Sequence, residues 1–253
     1  MTGPGATIHR RAPLRACAQV ACHDCGMYRL CAPLGLERGD FSLLDTVLRR
    51  KLIYRRGELL YRAGAPLEYL FAIRGGSVKT YLPAGNGRVQ VTGFHFAGEV
   101  LGLNAIDGHR HPSEAQALET TSVCALSIER FEQLARREPA IQREVIKIMS
   151  ADIRRHQELL LLLGKRNAEE RLAAYLLSLS RRLAERRYSA TEFNLSMSRG
   201  DIGSYLGIAE ETVCRVLARF QEEGVLATRR RYVRLLDLGR LRAIARDLGA
   251  RPG

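Results

Sequence analysis

Cys22, Cys25 and Cys31 stand in the spacing C-x2-C-x5-C, and a further thiol, Cys124, lies far downstream in a segment of strand-like composition. Thiols gathered in this way suit a metal centre better than a disulfide framework in a reducing compartment, where disulfides are rare. A set of four thiolates satisfies tetrahedral zinc and equally an iron-sulfur cluster. Structural zinc is usually held by two local pairs, a pattern that three local cysteines and one remote one do not follow. The plain alternative for Cys124 is a buried strand cysteine, with Leu126 and Ile128 on its side of an extended chain.

A second constellation is Glu211, Cys214 and Arg215, which recur at spacings of three and four and so share one face of a helix. An arginine there can make a bidentate contact to a guanine edge, and the glutamate can accept from a cytosine amino group or brace the arginine. The same spacing also makes an ordinary surface ion pair worth a few tenths of a kcal/mol. His109 and His111 form a possible metal pair, but their glycine-flanked segment has no thiols nearby and reads as a solvated loop. No nucleophile-base pair, phosphate-cradling glycine loop or paired carboxylate set points to an enzyme.

The elements that must position these residues change character along the chain. After the cysteine-bearing leader and a short helical pattern at Phe41 to Leu48, short runs rich in β-branched and aromatic residues follow at Leu59 to Arg62, Tyr69 to Ile73, Ser77 to Leu82, Val89 to Phe94 and Thr121 to Ile128. Glycine turns join them, which predicts a small antiparallel barrel or roll. The period then switches: Ile146, Met149, Ile153, His156, Leu160 and Leu163 alternate at intervals of three and four. This is a coiled-coil seam about two and a half heptads long, spanning roughly 26 Å, and it calls for a partner helix. An amphipathic helix packed on its own barrel is the alternative, although such a helix usually has a wider apolar stripe. His156, at a core position of the seam, either sets two imidazoles face to face across a pair or leans out into solvent.

Beyond Asn167, one helical face carries Leu172, Tyr175, Leu176 and Leu179. Ser198 and Asp201 form a capping-box-like start to a short helix ending at Leu206-Gly207, and a second helix follows through Glu211, Val213, Val216, Leu217 and Phe220. Two helices joined by a short glycine-containing turn predict a helix-turn-helix. The sequel, Val225-Leu226, a basic tip Arg229-Arg230-Arg231 and Tyr232 to Leu235, reads as a β-wing.

The 253 residues carry 40 Lys and Arg against 27 Asp and Glu, a formal charge of +13 with a pI near 10.0, which favours an anionic partner such as nucleic acid. The excess is spread over both halves, so charge does not locate the contact. The longest apolar stretch, Leu159 to Leu163, falls far short of the roughly 20 residues that cross a bilayer, and Arg10-Arg11 precedes no apolar signal core. The expected location is cytoplasmic, with no membrane partner.

The segments Phe94–Glu99 (FHFAGE), His111–Thr120 (HPSEAQALET), Asn167–Ala174 (NAEERLAA) and Arg199–Gly207 (RGDIGSYLG) closely resemble the FNR-type oxygen-responsive regulators of the CRP/FNR superfamily, and the similarity runs from about Cys17 to Tyr232. The resemblance implies an α+β fold in four parts: a cysteine-rich leader at 1–35, a cyclic-nucleotide-binding-like β-roll at 36–138, a dimerisation helix at 139–164 and a winged helix-turn-helix domain at 165–253. It also implies a [4Fe-4S] cluster on Cys22, Cys25, Cys31 and Cys124, with Cys17 outside the set. The implied function is a homodimer that binds double-stranded DNA at a TTGAT-type palindrome through Glu211, Cys214 and Arg215, works with RNA polymerase, and loses pairing when oxygen reaches the cluster. Anaerobic gene expression is the implied output. An electron-transfer protein built around the cluster is the alternative reading, and it would be indifferent to Arg215.

The chain departs from the family pattern in places. Relatives that bind cyclic AMP follow Gly-Glu with an arginine that neutralises the cyclic phosphate; here Gly98-Glu99 is kept but Pro112-Ser113-Glu114-Ala115 replaces the arginine cassette, and no cyclic nucleotide is expected. Cys214 stands in place of a serine, Ala209 in place of a Ser or Thr helix cap, His156 in place of an acidic residue, and Gly26 in place of a hydroxyl residue beside the second leader cysteine. Losing the cap costs about 1 kcal/mol, partly offset by Glu210 and Glu211 at the positive end of the helix dipole.

Overall fold

The computed structural model of the protein describes residues 49–83, 89–137, 139–165 and 167–245. The leader cysteines Cys22, Cys25 and Cys31, and the helix expected at Phe41 to Leu48, lie outside the described residues.

The chain forms two compact units. The first takes in the described residues through Val78 together with Phe94–Glu144. Its strands are β1 (Arg49–Tyr54), β2 (Leu59–Tyr61), β3 (Tyr69–Gly75), the start of β4 (Ser77–Pro83), the end of β5 (Val89–Phe96), β6 (Val100–Leu101), β7 (Glu114–Ala117) and β8 (Thr121–Ser127). They make two sheets, ordered β1-β8-β3-β6 and β2-β7-β4-β5. In the first sheet β8 is central, antiparallel to both β1 and β3. Phe71 and Ile73 of β3 and Val123 and Ala125 of β8 turn inward to a core completed by Leu60, Tyr61, Val78, Leu101, Ala115 and Ala117. This is the roll that the glycine-punctuated strands predict.

Several boundaries differ from the sequence reading. The last strand stops at Ser127, and Ile128 opens helix α1 (Ile128–Arg137) instead of extending the strand beside Cys124. Strands β1 and β7 were not expected: β1 begins Arg-Arg-Lys, and β7, Glu-Ala-Gln-Ala, has no β-branched residue. His111 is not a solvated loop residue. It is 3% exposed and stacks on the Tyr61 ring, with centroids 3.7 Å apart. His109 beside it is exposed and adopts a left-handed φ of 50°.

Helix α2 (Pro139–Lys165) begins with proline at its first position, where the missing N–H costs nothing. From Val145 onward it belongs to the second unit, which also contains Lys79–Gly93. There follow α3 (Ala168–Ala184), β9 (Glu192–Asn194), α4 (Arg199–Leu206), α5 (Glu210–Glu222), β10 (Leu226–Arg229), β11 (Tyr232–Leu235) and α6 (Leu238–Ala245). The wing strands β10 and β11 pair antiparallel, and β9 adds to β11. Leu172, Tyr175, Leu176 and Leu179 are all buried, as their spacing requires, in a core shared with Ile202, Leu206, Val213, Phe220 and Leu241.

Candidate nucleic-acid interface

Helices α4 and α5 are set by local chemistry that can be followed residue by residue. Asn167 caps α3: its side chain accepts from the Glu170 N–H while the Glu170 carboxylate accepts from the Asn167 N–H. Ser198 and Asp201 form the same reciprocal box at α4, at 3.0 and 2.9 Å. The first helix ends at Gly207 in the left-handed conformation, φ 63°, whose N–H returns to the Gly203 carbonyl. The turn is tight at Gly203 itself, because a Cβ there would sit 2.6 Å from the Ile208 carbonyl oxygen. Ala209 makes no side-chain cap to α5, leaving Glu210 and Glu211 in the first turn to meet the helix dipole.

Val213, Val216, Leu217 and Phe220 of α5 are buried, which turns Glu211, Cys214 and Arg215 outward together. The helix is fixed at its other end by a run of ion pairs: Arg219 meets Glu169 of α3 at 2.5 Å and Glu223 at 2.8 Å, and Glu223 meets Arg240 of α6 at 2.8 Å. Arg215 and Arg219 border a shallow groove against the start of α3, lined also by Asn167, Glu169 and Thr212. The wing tip Arg229-Arg230-Arg231 is exposed, with Arg230 at φ 57° and its carbonyl accepting from Arg199 of α4 at 3.2 Å.

Contacts with no local sequence signal complete the unit. The hairpin strands β4 and β5 touch α4: Lys79 reaches Asp201 at 2.5 Å, the Val91 N–H donates to the Ser204 hydroxyl at 2.9 Å, and that hydroxyl donates to the Val89 carbonyl at 2.8 Å. Asp201 reads in the sequence only as a cap; the structure gives it a second partner. Arg171 of α3 bonds the ends of both α2 and α4.

Along α2 the seam residues Ile146, Ile153 and Leu160 are 63%, 56% and 68% exposed, and Met149 is 38% exposed. Leu163 is half-buried, its Cδ2 3.5 Å from where a Cβ on Gly207 would lie. His156 is exposed, with Nδ1 2.8 Å from the Asp152 carbonyl of its own helix. Among the described residues no helix is long and apolar enough to cross a membrane.

The remaining sequence-derived ligand within the described residues is Cys124. It is 6% exposed, in register with Lys51 and Ala72, and alternation places it on the face of β8 opposite Val123 and Ala125. On that same face the buried Ser122 hydroxyl has no hydrogen-bond partner. A thiol and an unsatisfied hydroxyl on one buried strand face fit a sulfur-held group. Among the described residues no three metal-ligating side chains converge, so such a group would take its other ligands from outside them.

Comparison with known proteins agrees with this anatomy. Residues 170–244 match the Crp-like helix-turn-helix domain and residues 51–138 the cyclic nucleotide-binding domain. The chain is 43% identical over 242 residues to the fumarate and nitrate reduction regulatory protein of Salmonella typhimurium, covering 96% of each. It is 42% identical over 237 residues to electron transport regulator A of Shewanella oneidensis, covering 94% of each. The structure of FixK2 from Bradyrhizobium japonicum is similar with a TM-score of 0.73 at 33% identity, over 78% of this chain and 98% of that one.

Proposed function

Because the chain belongs to the CRP/FNR family of DNA-binding transcription regulators, we propose that it is an oxygen-responsive member that reads a TTGAT-type palindrome as a homodimer and controls anaerobic gene expression. The observation that carries the reading is the outward row Glu211, Cys214 and Arg215 on a helix whose other face is buried.

In this reading α5 enters the major groove and α4 crosses the backbone. Arg215 donates to a guanine edge and Glu211 accepts from a cytosine amino group, each such contact being worth about 1 to 3 kcal/mol of discrimination. The cationic wing tip meets phosphates and makes binding fall with salt. The exposed seam from Ile146 to Leu163 pairs with its copy in a second chain, removing from water the apolar side chains that a lone protomer leaves in it. His156, drawn back to the Asp152 carbonyl, sits at the margin of that pair.

A [4Fe-4S] cluster on Cys22, Cys25, Cys31 and Cys124 would supply an oxygen-labile centre beside the roll. Cys124 and the unsatisfied Ser122 hydroxyl support its attachment to the face of β8 turned away from Val123 and Ala125. No cyclic nucleotide belongs to the reading: Glu114 begins β7 where a phosphate-neutralising arginine would be needed, and the buried Glu99 carboxylate already faces His95 at 3.5 Å. Contact with RNA polymerase and action in the cytoplasm belong to the same proposal.

The test is iron and sulfide analysis with visible absorption on anaerobically purified protein, alongside binding to the palindrome before and after brief exposure to air. The expected result is about four irons per chain, a chromophore absent from Cys124→Ser, and DNA binding that air abolishes. A colourless zinc protein whose DNA binding ignores air would overturn the sensor while leaving the regulator.

A further inference from the structure

The Arg171 side chain ties the ends of α2 and α4 together. Arg171, in the first turn of α3, donates from Nη2 to the Leu163 carbonyl at 2.7 Å and from Nη1 to the Leu206 carbonyl at 3.0 Å, with the Gly207 carbonyl at 3.4 Å. Leu163 and Leu206 lie in the last turns of α2 and α4, where carbonyls have no intrahelical partner. One cation therefore meets the negative ends of two helices at once. A planar guanidinium holds its donors in a rigid fork wide enough to span both carbonyls, whereas the three donors of an ammonium radiate from one compact centre on a flexible stem. Leu163 adds a side-chain contact to the same corner, packing against the Gly207 turn.

Leu163 is the last residue of the seam, and Leu206-Gly207 is the turn from which α5 departs. The tie thus runs from the helix that pairs protomers to the turn that launches the helix that reads DNA, through the Leu163, Leu206 and Gly207 carbonyls and one guanidinium. Arg171 is directed at those helix ends.

We propose that Arg171 is a positioning residue for DNA recognition: it holds the reading helix at a fixed attitude to the dimer seam and so sets which half-site separation the dimer accepts. The inference rests on the dimeric reading above. In a symmetric pair the separation and tilt of the two reading helices follow from that attitude, and half-site spacing is the quantity that reports it. Base discrimination within a half-site follows from Arg215 and Glu211 and is a separate property.

The experiment uses the full-length protein, purified anaerobically with its cluster, as wild type, Arg171→Gln and Arg171→Lys. Affinity is measured for palindromes of natural spacing, for spacings one base pair longer and shorter, and for a half-site with its guanine replaced. In Arg171→Gln the preference for natural spacing is expected to fall at least about threefold, within the range for residues that couple two sites. Arg171→Lys, which keeps the charge but lacks the rigid fork that spans both carbonyls, should fall between. The discrimination at the guanine and the dimer dissociation constant should stay at wild-type values. The inference is overturned if both variants keep the wild-type spacing preference, or if spacing preference and guanine discrimination decline in parallel. Should Arg171→Gln fail to fold, Arg171→Lys decides on the same two ratios. A wild type that does not prefer the palindrome to a single half-site overturns the dimeric reading and this inference with it.

Discussion

The ammonium of Lys79 lies 2.5 Å from one carboxylate oxygen of Asp201, while the other oxygen of Asp201 accepts the N–H and hydroxyl of Ser198 at the start of α4. One carboxylate therefore serves as helix cap and as anchor for a strand 122 residues earlier in the chain.

Asp201→Ala removes both roles. Burial alone would raise the Asp201 carboxyl pKa, but the hydrogen bonds from Lys79 and Ser198 outweigh it and hold the group below the usual range. A depressed carboxylate stabilises the fold above its unfolded pKa and loses that contribution as pH falls through the folded one. The variant should be less stable by about 1 kcal/mol or more near pH 7, from the charge-assisted hydrogen bonds it loses. Urea unfolding should find that gap closing on acidification through and below the carboxylate range; a gap independent of pH would sink the assignment.

Two glycines predict opposite outcomes for the same change. Gly203→Ala drives a methyl to 2.6 Å from a backbone oxygen and should cost about 2 kcal/mol, the penalty typical of overpacking, with loss of DNA binding. Gly164→Ala, in exposed helix with nothing within 4 Å of the new atom, should stabilise α2 by up to about 1 kcal/mol. Thermal unfolding of the pair checks both signs together.

Replacing Ile153 by glutamate puts a charge in the centre of the seam. Because Ile153 is already 56% exposed in the protomer, its fold should be untouched while sedimentation reports a monomer. Affinity for the palindrome should drop to that of one half-site. A dimer that survives would move the interface elsewhere.

Arg215→Ala should lower specific affinity by about 1 to 3 kcal/mol and flatten selectivity at one base pair, leaving visible spectra intact. Binding titrations against base-substituted sites separate this from a uniform phosphate effect.

His111 supplies a pH dependence of opposite origin. Burial beneath Tyr61 pushes its pKa down to about 4. A histidine depressed in the folded state favours folding while neutral, so its contribution is complete above about pH 6.5 and declines as pH falls toward the folded value. The urea midpoint should therefore fall between pH 7 and pH 5 in wild type, and less in His111→Gln.

The parts of this molecule legible in the sequence are those encoded within a turn or two of helix. The Ser198 and Asn167 caps, the Gly207 turn and the buried face from Leu172 to Leu179 each follow from neighbours in the chain. The wing was readable because Val225-Leu226 and Tyr232 to Leu235 flank a charged tip. Strand β7 was not, since Glu-Ala-Gln-Ala is extended only by its place between β2 and β4. His111 reads as loop because its loop does, and its burial depends on Tyr61, fifty residues away. Lys79, Ser204 and Arg171 carry no local signature of the contacts they make, although Ser204 and Arg171 lie in segments that resemble the family: what they do is defined by partners that only the fold brings near.

The meeting of β5 and Ser204 has a consequence for how the chain is made. Strand β5 is the outermost of its sheet, and the Ser204 hydroxyl engages backbone groups of Val89 and Val91 on its open side. Ser204 follows Val91 by 113 residues, so at ordinary synthesis rates the ribosome needs about 6 to 23 s to reach it. For that interval the nascent chain carries an unguarded strand edge at Val89 and Val91, the kind of surface on which chains add to one another.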